Sequence, residues 1–256
     1  MKKDILRQVV NVLAVLVTIV INGLANVLPL NGLNTGEISD RFKVYFVPAG
    51  YVFSIWGLIY LALIGFAIYQ ALPAQRENPH LRRIGYLFAL SCVANVVWLF
   101  LWHYEVFPLT IVAMLALLVL LIAIYLRLGI GRTRVSAAAT WLVQVPFSIY
   151  LGWITVATIA NATSLLDYLQ WNGWGLSPEA WAVIMLVVGA AVASAVSLTR
   201  GDVAYMLVIM WAFAGIAVKH AATPVVATAA WVMTAVVAVM LVVGALFSRR
   251  RRAVTA

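Results

Sequence analysis

The chain has 256 residues, of which 65% are hydrophobic and 10% charged, and its mean hydropathy is +1.04. So apolar a composition excludes an ordinary water-soluble domain, in which charged residues make up about a quarter. A net charge of +9 is spread between apolar runs instead of gathered in one patch, which argues against a nucleic-acid partner, and the single cysteine, Cys92, excludes an internal disulfide or a cysteine-based metal site.

The apolar residues form eight runs near the ~20 residues that cross a bilayer. The predicted spans are 8–30, 50–71, 84–102, 106–127, 138–161, 179–198, 203–218 and 223–247. In lipid a backbone must satisfy its own hydrogen bonds, so each span reads as a helix. The fold class is therefore all-α: a polytopic transmembrane bundle of about eight spans, with the lipid bilayer as its first partner. The N-terminus resembles a signal peptide, but its apolar stretch continues to Leu30 and reads as an uncleaved first helix. Every Asp and Glu lies between spans or at their ends. With eight spans, Lys2, Lys3, Arg7, Arg76, Arg82, Arg83, Arg127, Arg132, Arg134, Arg200 and Arg249–Arg252 share one side, and Arg41, Lys43 and Lys219 take the other. The positive-inside rule then places both termini in the cytoplasm, as expected for a bacterial-type inner (plasma) membrane.

Two longer connections are expected outside. The first, 31–49, carries Asn31, Gly32, Asn34, Gly36 and Pro48. The second, 162–178, carries Trp171 and Trp174, whose indoles are expected in an aromatic belt. In the sixth span Gly189, Ala193 and Ser197 recur every four residues, a strip for close helix packing that would permit a homodimer. Near residue 180 the composition shifts from Trp, Tyr, Phe and Asn towards Ala, Val, Leu and Met. This shift predicts a functional five-helix bundle over 1–165, with three additional helices and a basic cytoplasmic tail over 166–256; the alternative is that the second half simply packs differently.

Candidate functional residues lie on helical faces of the first five spans. Asn11, Thr18, Asn22 and Asn26 form a polar stripe on the first span that should face the bundle interior. It is read either as interhelical hydrogen bonding or as the lining of a cavity. The second span offers Tyr51, Phe53, Trp56 and Tyr60; the third Ser91, Asn95, Trp98 and Trp102; the fifth Tyr150, Trp153, Ala157 and Asn161. Pro146 is expected to kink the fifth span. The predicted topology brings these faces to the outer half of the membrane. Aromatic walls with a few fixed polar groups suit a flat, largely apolar ligand, while tight packing without a ligand is the alternative. No catalytic constellation or metal site is expected. The histidines, His80, His103 and His220, fall at span ends or in loops, where His103 is expected as an interfacial residue, with a haem iron at the cavity mouth as the other reading.

The run Pro48-Ala49-Gly50-Tyr51-Val52-Phe53-Ser54-Ile55-Trp56-Gly57-Leu58-Ile59-Tyr60 resembles the second-helix motif of the tryptophan-rich sensory protein and mitochondrial translocator protein family. Asn95-Val96-Val97-Trp98 is similar to its third-helix Asn-x-x-Trp, Pro146-Phe147 to its fifth-helix Pro-Tyr, and Trp153, Ala157 and Asn161 to its Trp-x-x-x-Ala-x-x-x-Asn. The likeness covers about residues 8–165. Departures are Tyr51 in place of Trp, a gap to Trp56 one residue shorter, Trp102 and His103 where Phe is usual, and Pro146 about three residues further from its Trp. Arg132 and Arg134 lie at the wrong end of the fifth span to form the family's cholesterol-recognition segment. The resemblance implies a cavity for a porphyrin, haem-related tetrapyrrole or sterol-like ligand, with no required cofactor. Light- or oxygen-dependent porphyrin breakdown is implied for some members. Phe53, Trp56, Asn95, Trp98 and Trp153 would line the cavity, with Tyr51, Trp102 and Asn161 at its rim. The rival readings are a transporter of a small amphipathic molecule and a non-catalytic structural membrane subunit. No ionisable residue lies near the centre of a span, which argues against proton coupling.

Overall fold

The structure, a computed structural model, describes residues 2–28 and 30–254, with side chains for all of these except Asn26 and residues 249–254. The side chains of Asn26 in the polar stripe and Arg249–Arg252 in the tail thus lie outside the described residues. In chain order the helices are α1 Lys2–Val27, α2 Thr35–Ser39, α3 Ile55–Ala71, α4 Pro79–Ile84, α5 Leu87–His103, α6 Phe107–Leu128, α7 Ala137–Ala139, α8 Val145–Tyr168, α9 Pro178–Arg200, α10 Val203–Lys219 and α11 Pro224–Val254. No strand occurs among the described residues. Among the described residues, six stretches are long and apolar enough to cross a membrane: Lys2–Ala25, Gly50–Ala71, Phe107–Leu128, Ala137–Tyr168, Pro178–Arg200 and Pro224–Ser248. Helices α5 and α10 are apolar and 17 residues long, a rise of about 25 Å that is near the lower limit for a span. The chain is a polytopic helical membrane bundle.

Helix ends differ from the expected spans because hydropathy marks the apolar stretch, whereas polar residues continue a helix beyond it. Helix α1 already begins at Lys2, and α8 runs through Thr163, Ser164 and Asp167 to Tyr168. The first long connection holds structure of its own. Asn34 caps α2 by accepting from the Gly36 and Glu37 amides, both at 3.0 Å, while its own amide donates to the Glu37 carboxylate at 2.7 Å. A π-helical turn, Thr140–Gln144, precedes Pro146, so the irregularity of this helix lies in the turn leading into the proline.

Packing divides the chain into two compact units. The first contains the chain up to Arg41 together with Ser54–Leu151, and the second contains Phe42–Phe53 together with the chain from Gly152. The division therefore falls within α8 and assigns a loop segment to the second unit; it does not coincide with residue 165.

In the first unit α1 packs on α3 and α5, α5 on α6, and α3 on the π turn. Phe66, Phe88 and Phe147 form an edge-to-face triad at the core, with ring centroids 4.9, 4.9 and 5.7 Å apart. Leu58, Leu61 and Ile68 on α3, with Val93 on α5 and Val112 and Val119 on α6, remain exposed. Such apolar outer faces suit lipid and would be costly in water. The start of α1 is tied to the end of α3 and to α4 by polar groups. Gln8 donates to the Gln70 carbonyl at 2.6 Å and Gln70 donates back to the Gln8 carbonyl at 3.1 Å. Arg82 holds Asp4 through two contacts at 2.8 and 2.9 Å, and this carboxylate raises the Arg82 pKa.

In the second unit α9, α10 and α11 pack on one another. The Ser197 hydroxyl donates to the Met240 carbonyl at 2.6 Å, and Gly244 faces Ser197 so closely that a Cβ there would lie 2.5 Å from its carbonyl oxygen. Gly189, Ala193 and Ser197 are all buried within this unit. The expected small-residue strip thus serves contacts inside the chain. Segment 42–53 packs against α10: Ala49 donates to the Gly215 carbonyl at 3.1 Å and the Trp211 indole donates to the Val52 carbonyl at 3.2 Å.

Candidate functional site

In the first unit, residues from four helices meet in a buried aromatic and amide cluster. Asn22 of α1 donates from Nδ2 to Asn95 Oδ1 of α5 at 2.8 Å and to its own helix at the Thr18 carbonyl, 2.9 Å away. Asn95 donates from Nδ2 to the Tyr150 hydroxyl of α8 at 3.1 Å. The Tyr150 ring meets Trp56 of α3 edge-on at 6.0 Å, and Trp56 stacks on Tyr60 at 5.4 Å with 22° between the planes. Asn22, Asn95 and Tyr150 are buried, while Trp56 and Tyr60 are half-buried. The periodicity reading of these faces and the observed grouping rest on the same cause: amides and indoles avoid the lipid side and gather where helices meet. The Tyr150 hydroxyl accepts from Asn95, and its own proton has no acceptor among the described residues.

The other predicted residues are placed as follows. Thr18 is buried and its hydroxyl donates to the Ala14 carbonyl at 2.9 Å. Asn11 reaches the Gly85 carbonyl at 3.4 Å, and its buried Oδ1 has no partner among the described residues. Ser91 is buried and donates to the Phe88 carbonyl at 2.7 Å. Trp98 and Trp102 stack at 5.6 Å. Trp102 is buried, with its indole donating to the Thr35 carbonyl at 3.2 Å. Pro146 is buried beside the π turn. In the second unit Phe53 meets Trp153 edge-on at 5.7 Å, Tyr51 is 51% exposed and meets Trp211 at 5.5 Å, and Asn161 is buried in α8.

His103, at the end of α5, is fully buried, with Nδ1 3.2 Å from the Leu30 carbonyl and Nε2 3.1 Å from the Thr35 hydroxyl. The carbonyl can only accept, so Nδ1 bears a proton, and both ring nitrogens are engaged, which leaves neither free for a haem iron. Sequence reasoning missed this because the partners lie about 70 residues away, on the segment Leu30–Thr35. Trp171 and Trp174 join Trp181, with centroid separations of 5.0 to 5.7 Å, and the Trp181 indole donates to the Gly173 carbonyl at 2.7 Å. Outside the spans, burial holds the His220 pKa below its ordinary 6.5, against the pull of the Val47 carbonyl.

A sequence profile of the family described as TSPO-like protein matches residues 8–243. The chain belongs to the TSPO-like protein family. The match in this TSPO-like protein runs well past residue 165 and takes in α9, α10 and most of α11. Neither the curated proteins nor the solved structures include one that matches the chain. The family and the apolar helices together make this a multi-pass membrane protein of the TspO type.

Proposed function

We propose that this TSPO-like protein is a membrane-embedded sensor or regulator that binds a flat, largely apolar ligand of the tetrapyrrole class, with both of its termini in the cytoplasm. The observation that carries the reading is the Trp56–Tyr60 stack standing beside the Tyr150 hydroxyl, whose proton is available to a ligand. Indole and phenol faces offer a stacking platform, and a single directed donor fixes orientation. The amide chain from Asn22 through Asn95 holds that hydroxyl in place.

The test is a titration of the detergent-purified protein with protoporphyrin IX, followed by tryptophan fluorescence. The wild type should show saturable quenching that a folded Trp56→Phe/Trp98→Phe variant loses. Tyr150→Phe keeps the ring and removes the donor, and should weaken binding by about fivefold to tenfold. Equal, non-saturating quenching in all three would mean partition into detergent. The aromatic and amide cluster would then be a packing device, a reading favoured by the mutual engagement of Asn22 and Asn95.

A further inference from the structure

The second unit contains a cavity of about 270 Å³ that shares no lining residue with the Trp56 cluster. Segment 43–46, the end of α8, the Trp171–Gly173 stretch and the start of α9 supply its walls. Most of that wall is apolar, and Tyr45, Trp171 and Trp181 contribute aromatic rings. The Trp171 and Trp181 rings lie 5.0 Å apart, fixed by the Trp181 hydrogen bond to Gly173.

One carboxylate stands among these rings. Asp167 accepts from the Lys43 backbone amide at 3.2 Å through one oxygen, and its charge has no ion-pair partner among the described residues. A second carboxylate is near, because the Tyr45 hydroxyl donates to Glu179, which holds the Tyr45 pKa above its ordinary 10.0. Lys43 is the one cation in the lining, and it engages Asp167 through its backbone while its side chain is exposed. Aromatic faces attract cations through their negative π clouds, and two carboxylates oppose an anion. A neutral apolar guest would leave the Asp167 charge without a counter-ion, whereas a bare metal ion would gain little from the indoles.

We infer that this cavity binds a small organic ammonium with apolar substituents, its charge beside Asp167 and its body against Trp171 and Trp181. Such an ammonium is offered both by soluble amines and by choline-bearing lipid headgroups.

The test uses the full chain in maltoside micelles, with equilibrium dialysis of radiolabelled benzyltrimethylammonium. Binding should saturate, and neopentylbenzene, the neutral carbon isostere, should not compete. Asp167→Asn keeps an acceptor for the Lys43 amide and should weaken binding by about tenfold. Lys43→Gln should leave binding equal or tighter. Trp171→Leu gives a second reading if Asp167→Asn does not fold, and should also weaken binding. Competition by short-chain phosphatidylcholine would assign the cation to a lipid headgroup, and competition by choline alone to a soluble ammonium. Competition by the neutral isostere, unchanged binding in Asp167→Asn or Trp171→Leu, or loss of binding in Lys43→Gln would each overturn the inference.

Discussion

Asn95 is fully buried and uses both ends of its amide on side chains from other helices, accepting from Asn22 and donating to Tyr150. Its replacement by alanine removes one hydrogen bond from each of these partners and should cost about 1–2 kcal/mol. Asn22→Ala should cost less, since the lost amide was shared with the Thr18 carbonyl of its own helix. The double variant should be less destabilised than the sum, because the same bond is removed twice. Thermal melting in detergent measures all three, and strict additivity would show that the hydrogen bond contributes nothing. This cluster was legible in part. Helical spacing puts Asn22, Asn95, Trp56 and Tyr150 on inward faces, because lipid penalises unpaired amide, hydroxyl and indole N–H groups. The spacing could not say which amide meets which hydroxyl. His103 was illegible for a related reason: its partners, Leu30 and Thr35, come from a connection whose fold depends on contacts remote in sequence.

At the scale of elements, glycine lets backbones meet closely. A Cβ on Gly244 of α11 would lie 2.5 Å from the Ser197 carbonyl of α9, so the two backbones meet where side chains would hold them apart. Gly244→Ala should therefore destabilise the protein by about 1–3 kcal/mol, read as a lower midpoint in thermal melting. An exposed control such as Gly57→Ala, which meets nothing within 4 Å, should be neutral or stabilising. Ser197 was visible in the sequence as part of a small-residue strip. Its partner was not, because the strip alone does not distinguish a neighbouring helix of the same chain from a second copy. The Asn34-x-x-Glu37 cap was readable from spacing, but the apolar pattern drew attention to the spans and left 31–49 as a plain loop. Helix α8 shows the converse: hydropathy ends near 161, while the backbone continues to Tyr168 through residues that tolerate the interface.

At the scale of the molecule, the apolar outer faces and the family match agree on a membrane protein whose recognisable part includes α9, α10 and most of α11. The first-half motifs are dense in Trp and Asn and so are easy to see; Ala and Val in α9 to α11 carry little that distinguishes one helix pair from another. The second unit also has a pH dependence. His220 donates from Nε2 to the Val47 carbonyl, 3.3 Å away, and packs on Tyr45 with centroids 5.1 Å apart. Because its folded pKa lies below the ordinary 6.5, the neutral ring is the folded form. Its stabilising contribution is complete above that value and is lost as pH falls below it. The melting midpoint should drop over that range, and His220→Gln, which keeps a donor for Val47, should flatten the drop. An identical acid dependence in the variant would place its origin elsewhere.

Segment 42–53 has its partners far along the chain: Val52 meets Trp211 across 159 residues and Val47 meets His220 across 173. During synthesis the segment leaves the ribosome long before α10 exists. At about 5–20 residues per second, it waits roughly 10–30 s for the helix that receives it. Throughout that interval the unsatisfied carbonyls of Val47 and Val52 stand open to water, headgroups or a chaperone. The nascent protein thus passes through a stage in which its early helices are inserted while one of its loops has nowhere to settle.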